Sequence, residues 1–146
     1  MVTVPRSAPG AASVRPPDDL RALVLAALSD PVGTEQAARS AIARGLDVTG
    51  ASLAYQALGV ALREHGDLVG AERALRRSLR AAAQAGDPDR QADVLASLGA
   101  TLVWAGRTRA GLSRLEHALT LVDSPALRLG ILVRRSQVNL TLGYPD

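Results

Sequence analysis

The sequence predicts an all-α protein made of repeated helix hairpins, and three observations carry that expectation. Hydrophobic residues make up 47% of the 146 residues, yet aromatics supply only 2% and Phe is absent. Ala and Leu are strong helix formers, whereas the β-branched and aromatic residues that strands favour are scarce outside a few valines. The stretch YQALGVALREHGD, Tyr55 to Asp67, returns 40 residues later as LASLGATLVWAGR, Leu95 to Arg107. Finally, Gly33, Gly66, Gly106 and Gly143 follow one another at spacings of 33, 40 and 37 residues, as turn glycines of a repeat.

Taken in order, residues 1–16 are read as a disordered arm. Four of the eight prolines fall at Pro5, Pro9, Pro16 and Pro17, among Ser, Gly and Ala that build no packed element. Order is expected from 17 to 146. Asp18 or Asp19 caps a first helix, DLRALVLAALS, which Asp30-Pro31 stops because proline biases its predecessor away from helix. Thr34 caps a second helix through EQAARSAIAR, and Gly45 ends it. After the connector LDVTG come Ala51–His65 and Asp67–Ala85, split by Gly66, then Pro88–Ala105 and Arg107–Val122, split by Gly106. A seventh helix starts near Pro125, whose fixed φ suits a first turn, and runs to Leu142.

Aligned on the turn glycines, small residues and leucines recur five and nine positions downstream: Ala38 and Ile42, Ala71 and Leu75, Gly111 and Leu115. Leu58-Gly59 and Leu98-Gly99 match upstream, with Leu25-Ala26 in the first unit. Small residues at fixed places let two helices approach closely while leucines fill the space beside them. These residues resemble the tetratricopeptide repeat, a helix-turn-helix unit of about 34 residues. The resemblance covers roughly residues 18–143 and implies a right-handed helical-hairpin solenoid of about 3.5 repeats, cut after the first helix of the last one. Tyr55 and Leu95 stand where the family prefers Trp, and Arg135-Ser136 replaces Leu-Gly in the fourth unit. The run from Arg80 to Asp123 is also similar to the repeats that precede caspase-like CHAT domains in GC-rich bacteria, and to repeats of large transcriptional regulators.

Composition excludes several classes of chemistry. Without cysteine there is no disulfide, thiolate metal site or cysteine nucleophile, and a reducing, cytoplasmic setting is expected. No apolar run reaches the ~18 residues of a membrane span, so no membrane partner is expected. All 17 cationic residues are Arg, which reads as the codon bias of a GC-rich genome. The net charge of +3 is modest for a nucleic-acid binder, and stacking aromatics are missing, so nucleic acid is not an expected partner.

Nothing points to an enzyme. His65 and His117 are 52 residues apart, His65 at a helix end where it is read as a cap and His117 as a surface residue. Asp87, Asp89 and Asp93 suggest a cation site, but helix capping accounts for them better. No phosphate loop, nucleophile elbow or zinc spacing appears, so no catalytic residue, cofactor or metal is assigned. Arg73, Arg76, Arg77 and Arg80, with Arg107, Arg109 and Arg114, are read as a solvated convex face rather than a basic stripe for an acidic partner.

The resemblance places function on the concave side. Its groove positions carry over to Gln56, Val60, Arg63, Asp93, Ser97, Ala100, Trp104, Arg134 and Gln137, as a site for a protein or peptide partner. Trp104, the sole Trp, is an anchor there or else core beneath the next helix. The last helix spreads leucines and valines over more than one stripe, so residues 127–142 are expected to be covered, by self-association, by another protein or by residues absent from this sequence. The expected function is a noncatalytic interaction scaffold. The alternative is the sensor portion of a larger CHAT-type peptidase or multidomain regulator.

Overall fold

The computed structural model describes residues 18–143, so the arm expected over 1–16 lies outside the described residues. Seven helices follow in order: α1 (Asp18–Ala26), α2 (Pro31–Arg44), α3 (Val48–Glu64), α4 (Leu68–Ala85), α5 (Pro88–Trp104), α6 (Thr108–Leu121) and α7 (Pro125–Thr141). Among the described residues there is no strand, and no helix is long and apolar enough to cross a membrane.

Most helix starts are set by aspartate. Asp30, Asp47 and Asp67 each accept from the backbone N–H of a glycine three residues on, Gly33, Gly50 and Gly70, at 3.0, 2.7 and 2.8 Å. A capping carboxylate satisfies one of the orphan N–H groups and sits at the positive end of the helix. Three sequence expectations change as a result. Asp30, not Thr34, caps α2; Thr34 is buried within the helix. Gly33 is not a turn glycine but a residue of the first turn, so the first hairpin is in register with the second through Asp30 and Asp67, 37 residues apart. The connector at 46–50 is mostly the first turn of α3, because Asp47 starts the helix at Val48.

The turns at Gly66 and Gly106 behave as expected, with φ of +84° and +77°, a left-handed conformation that costs glycine little. Each helix packs on its neighbour in the chain, and α1 also reaches α3, α3 reaches α5 and α5 reaches α7, while among the described residues the backbones of no two even-numbered helices come close. The odd helices therefore form an inner row flanked by α2, α4 and α6.

The core is a chain of small clusters rather than one centre. Leu20, Ala41, Leu53 and Ala54 meet at one end, Leu75, Val94, Leu98 and Leu102 in the middle, and Leu95, Leu115, Ile131 and Val138 at the other. At the last helix, Ile131 and Val138 pack inward while Leu129, Val133 and Leu140 stay exposed.

Candidate partner-binding groove

The inner row brings the sequence-derived residues together. Gln56, Val60 and Arg63 of α3, Asp93, Ser97, Ala100 and Trp104 of α5, and Arg134 and Gln137 of α7 all line one cavity of about 360 Å3. Val24, Leu25 and Leu28, from the end of α1 and the turn after it, complete the lining. Contacts at both ends of the cavity pair residues 37 to 41 apart, Gln56 with Asp93 and Ser97, Arg63 with Trp104, so α3 and α5 run parallel along it.

One end is a closed polar network. Arg90 Nη2 donates to Gln56 Oε1 at 2.7 Å and to Ser52 Oγ at 3.1 Å, while Arg90 Nη1 donates to Asp93 Oδ2 at 3.2 Å. Gln56 Nε2 in turn donates to Asp93 Oδ2 at 3.0 Å and to Ser97 Oγ at 3.1 Å. Ser78 Oγ of α4 donates to the Ser52 carbonyl at 2.6 Å, so three helices share the network. Buried polar groups favour hydrogen-bond partners; here the amide and the terminal guanidinium nitrogens engage each other, while Arg90 Nε, also buried, has no partner among the described residues. Burial lowers the Arg90 pKa, and the Asp93 carboxylate beside it opposes that shift. Gln56 and Ser97 are 1% and 5% exposed. Their side chains thus hold the groove wall from behind and leave Asp93, half-buried, as the polar group that faces outward.

The other end is open and apolar. Trp104 is 56% exposed, so it is not core. The Arg63 guanidinium lies 5.3 Å from the centre of its ring, a cation–π arrangement that fixes the indole against the α3 wall. Arg63 is largely buried and binds Glu64 Oε1 at 3.3 Å. Burial lowers its pKa, Glu64 opposes that, and the nearby Arg134 adds to the lowering. Leu25 and Leu28, 79% and 64% exposed, line the same cavity as Trp104. A second cavity of about 200 Å3, lined by Ala100, Val103, Trp104 and Leu115 with Arg134, Gln137, Val138 and Thr141, reaches the α5–α7 side of the indole.

The remaining titratable residues are structural. His65 is the C-cap residue of α3 as expected, but the cap is made by its backbone N–H, and its ring turns to α2, with Nδ1 3.0 Å from Glu35 Oε2. His117 is exposed. Asp87 accepts from the Arg90 N–H at 3.1 Å, and Asp89 accepts from the N–H groups of Asp123 and Ser124 at 2.7 and 3.1 Å, pinning the α6–α7 turn. Among the described residues, no group of three or more His, Cys, Asp or Glu is arranged to hold a metal ion.

Sequence reasoning missed Arg90, whose position in the first turn of α5 gave no sign that its side chain crosses to α3. It also missed the α1 wall, although the pattern was there. Leu20 and Ala27 mark the packing face of DLRALVLAALSD, with Leu23 and Val24 beside them, and Leu25 and Leu28 lie off it. No family model, no curated protein and no solved structure matches this chain.

Proposed function

We propose that the chain is a noncatalytic protein-interaction scaffold, a right-handed solenoid of tetratricopeptide-like hairpins that takes a peptide or helix of a partner protein in the groove of its odd-numbered helices. The observation that carries this reading is the exposed Trp104, held by Arg63 and sharing one cavity with the exposed Leu25 and Leu28. Exposed Trp flanked by aliphatic side chains dominates many interfaces, because it buries a large surface at little entropic cost. The cysteine-free chain supports a cytoplasmic setting for this role. The test is to select peptides from a random display library on the protein and titrate the winners, as dye-labelled peptides followed by fluorescence anisotropy, into parent and variants, with Trp104 emission followed in parallel in the parent. Binding that blue-shifts the parent's emission and whose anisotropy change is lost in Trp104→Ala and weakened in Leu28→Ser supports the groove; winners that bind both variants as well as the parent protein place the site elsewhere.

A second reading has its own observation. Leu129, Val133 and Leu140 expose one face of α7 while Ile131 and Val138 bury the opposite one. A helix apolar on two sides suits a position between two packed layers. This favours self-association through residues 127–142, or docking against a further domain, as in the regulatory part of a CHAT-type peptidase or multidomain regulator. Sedimentation equilibrium of the protein and of Leu129→Glu/Leu140→Glu decides the first arm: a parent dimer that the variant dissolves supports self-association, and a monomer in both discards it.

A further inference from the structure

The arginine row of α4, expected to be a uniformly solvated face, is divided by the structure into two unlike halves. Arg76 Nη2 donates to Glu72 Oε1 at 2.7 Å, and Arg107 Nη1 donates to Glu72 Oε2 at 3.0 Å, so both of these guanidinium groups have a carboxylate partner within the protein. Arg73 and Arg77 instead border a furrow between α2 and α4, about 300 Å3 in volume, which Arg39 borders from the α2 side and Tyr55, Leu58 and Leu62 of α3 floor. Arg39 binds Glu35 at 3.1 Å. Arg77 has no carboxylate; its Nη1 donates to Tyr55 Oη at 3.4 Å, and its guanidinium lies 5.7 Å from the ring centre. Among the described residues, Arg73 has neither an acid nor a hydrogen-bond partner. Asp67 lies at one end of the furrow, but its Oδ1 is engaged by the Gly70 N–H.

The next hairpin provides an internal comparison. With the repeats in register at 40 residues, Tyr55 corresponds to Leu95, Arg73 to Ser113 and Arg77 to His117. There the floor leucines Leu95, Leu98 and Leu102 are 1%, 0% and 1% exposed, whereas in the furrow Tyr55 is half-buried and Leu58 and Leu62 keep 6% and 7%. One hairpin thus closes its outer cleft with leucines, and the other keeps a partly open floor and gathers two uncompensated guanidinium groups around it. Arg39 has Glu35, and Asp67 lies at the end of the furrow, but Arg73 and Arg77 stand one turn apart with no carboxylate bound to either, and they repel each other unless an anion enters between them.

We infer that the α2–α4 furrow is a second binding site, on the side opposite the groove, for a short acidic segment of a partner protein that places an aliphatic side chain on Leu58, Leu62 and the Tyr55 ring while its carboxylates meet Arg73 and Arg77. The length agrees. From Asp67 to Arg77 the α4 wall rises about 15 Å, the reach of roughly five extended residues. Guanidinium forks bind carboxylates bidentately, which gives direction as well as charge. The apolar floor and single ring favour a peptide over a nucleic acid, which needs a row of cations and stacking platforms.

The test uses an array of hexapeptides that mix Asp or Glu with Leu, Ile or Phe, beside a twin array in which every Asp and Glu is Asn or Gln. The full chain is expected to be retained on the acidic array and not on its twin, and Arg73→Glu/Arg77→Glu to lower retention at least tenfold. Arg109→Glu/Arg114→Glu makes the same charge change on the next hairpin and is expected to keep at least half of the retention. Trp104→Ala, which removes the groove anchor, is expected to change nothing here, so failure of one site is separable from failure of the other. Equal retention on both arrays, equal loss in the two charge-reversed variants, or displacement by a single-stranded oligonucleotide at equal charge concentration overturns the assignment. Circular dichroism melts of each variant confirm that the exposed substitutions leave the fold intact.

Discussion

Gly99 and Gly111 touch backbone to backbone: a methyl group built on Gly99 falls 2.8 Å from the Gly111 carbonyl oxygen, and one built on Gly111 falls 2.6 Å from that of Gly99. α5 and α6 are therefore packed as closely as two helices can be, and neither backbone can yield without moving a whole helix. Gly99→Ala is expected to destabilise the protein by about 1–2 kcal/mol, the overpacking cost reduced by alanine's better helix propensity. Gly130 is the control. It lies within α7 with nothing within 4 Å of an added methyl, so Gly130→Ala is expected to stabilise by about 0.5–1 kcal/mol. Urea unfolding of the two variants decides the matter, and equal shifts in the same direction would refute the close approach.

The Arg90–Gln56 bond predicts strong coupling. Arg90→Met leaves the Gln56 carbonyl and the Asp93 carboxylate short of a donor in a buried setting, at a cost of about 2–3 kcal/mol. Gln56→Leu alone takes the closest acceptor from Arg90 Nη2 and the amide donor from Asp93 and Ser97, and should cost as much. The double variant is expected to lose at least 1 kcal/mol less than the two single losses together, because each removes what the other leaves unsatisfied. Additive losses in a denaturant double-mutant cycle would show that the network contributes nothing as a unit.

Trp104 should report on the groove without being needed for the fold. With more than half of its surface in solvent and one cation–π contact, Trp104→Ala is expected to cost no more than about 1 kcal/mol. As the sole Trp it also gives an unambiguous emission signal. A solvent-exposed indole emits near the red limit and is readily quenched by iodide. Blue emission and protection from iodide in the free protein would mean that the indole is covered in solution.

Glu72 should make part of the stability pH-dependent. The Arg76 hydrogen bond, aided by Arg107, holds its carboxyl below the ordinary glutamate value against the opposing effect of partial burial. A depressed folded pKa means that the bridge contributes fully above the unfolded value of about 4.3 and that its contribution vanishes as pH falls through the lower folded value. Glu72→Gln is thus expected to cost about 0.5–1 kcal/mol at pH 7 and nothing at pH 2. Thermal melts of parent and variant at both pH values check this, and a difference that persists in acid would exclude the bridge as its source.

Much of the helix order was legible because its punctuation is strong: Pro88 and Pro125 open helices, and Gly66 and Gly106 close them with positive φ. The error in the first hairpin came from treating all recurrent glycines alike. DPVG, DVTG and DLVG are one capping signal three times over, in which the glycine marks the first turn and the aspartate the boundary. In the groove, the nine residues that the resemblance carries over line one cavity. The resemblance was not enough to separate Gln56 and Ser97, enclosed by Arg90, from Trp104, left in solvent, since that depends on a long side chain crossing between helices 34 residues apart in the chain.

The separation of α2, α4 and α6 from one another has a mechanical consequence. Bending that spreads the outer helices meets only side-chain ties such as the Arg107–Glu72 bridge, whereas bending that parts the inner row must pull α3 from α5 and α5 from α7. The molecule should therefore flex like a fan hinged on its odd helices, compliant in curvature and stiff in length. Amide hydrogen exchange gives the check: protection should persist longest in α3 and α5 and fall first in α2 and α6, and uniform protection across all seven helices would mean that no such spine exists.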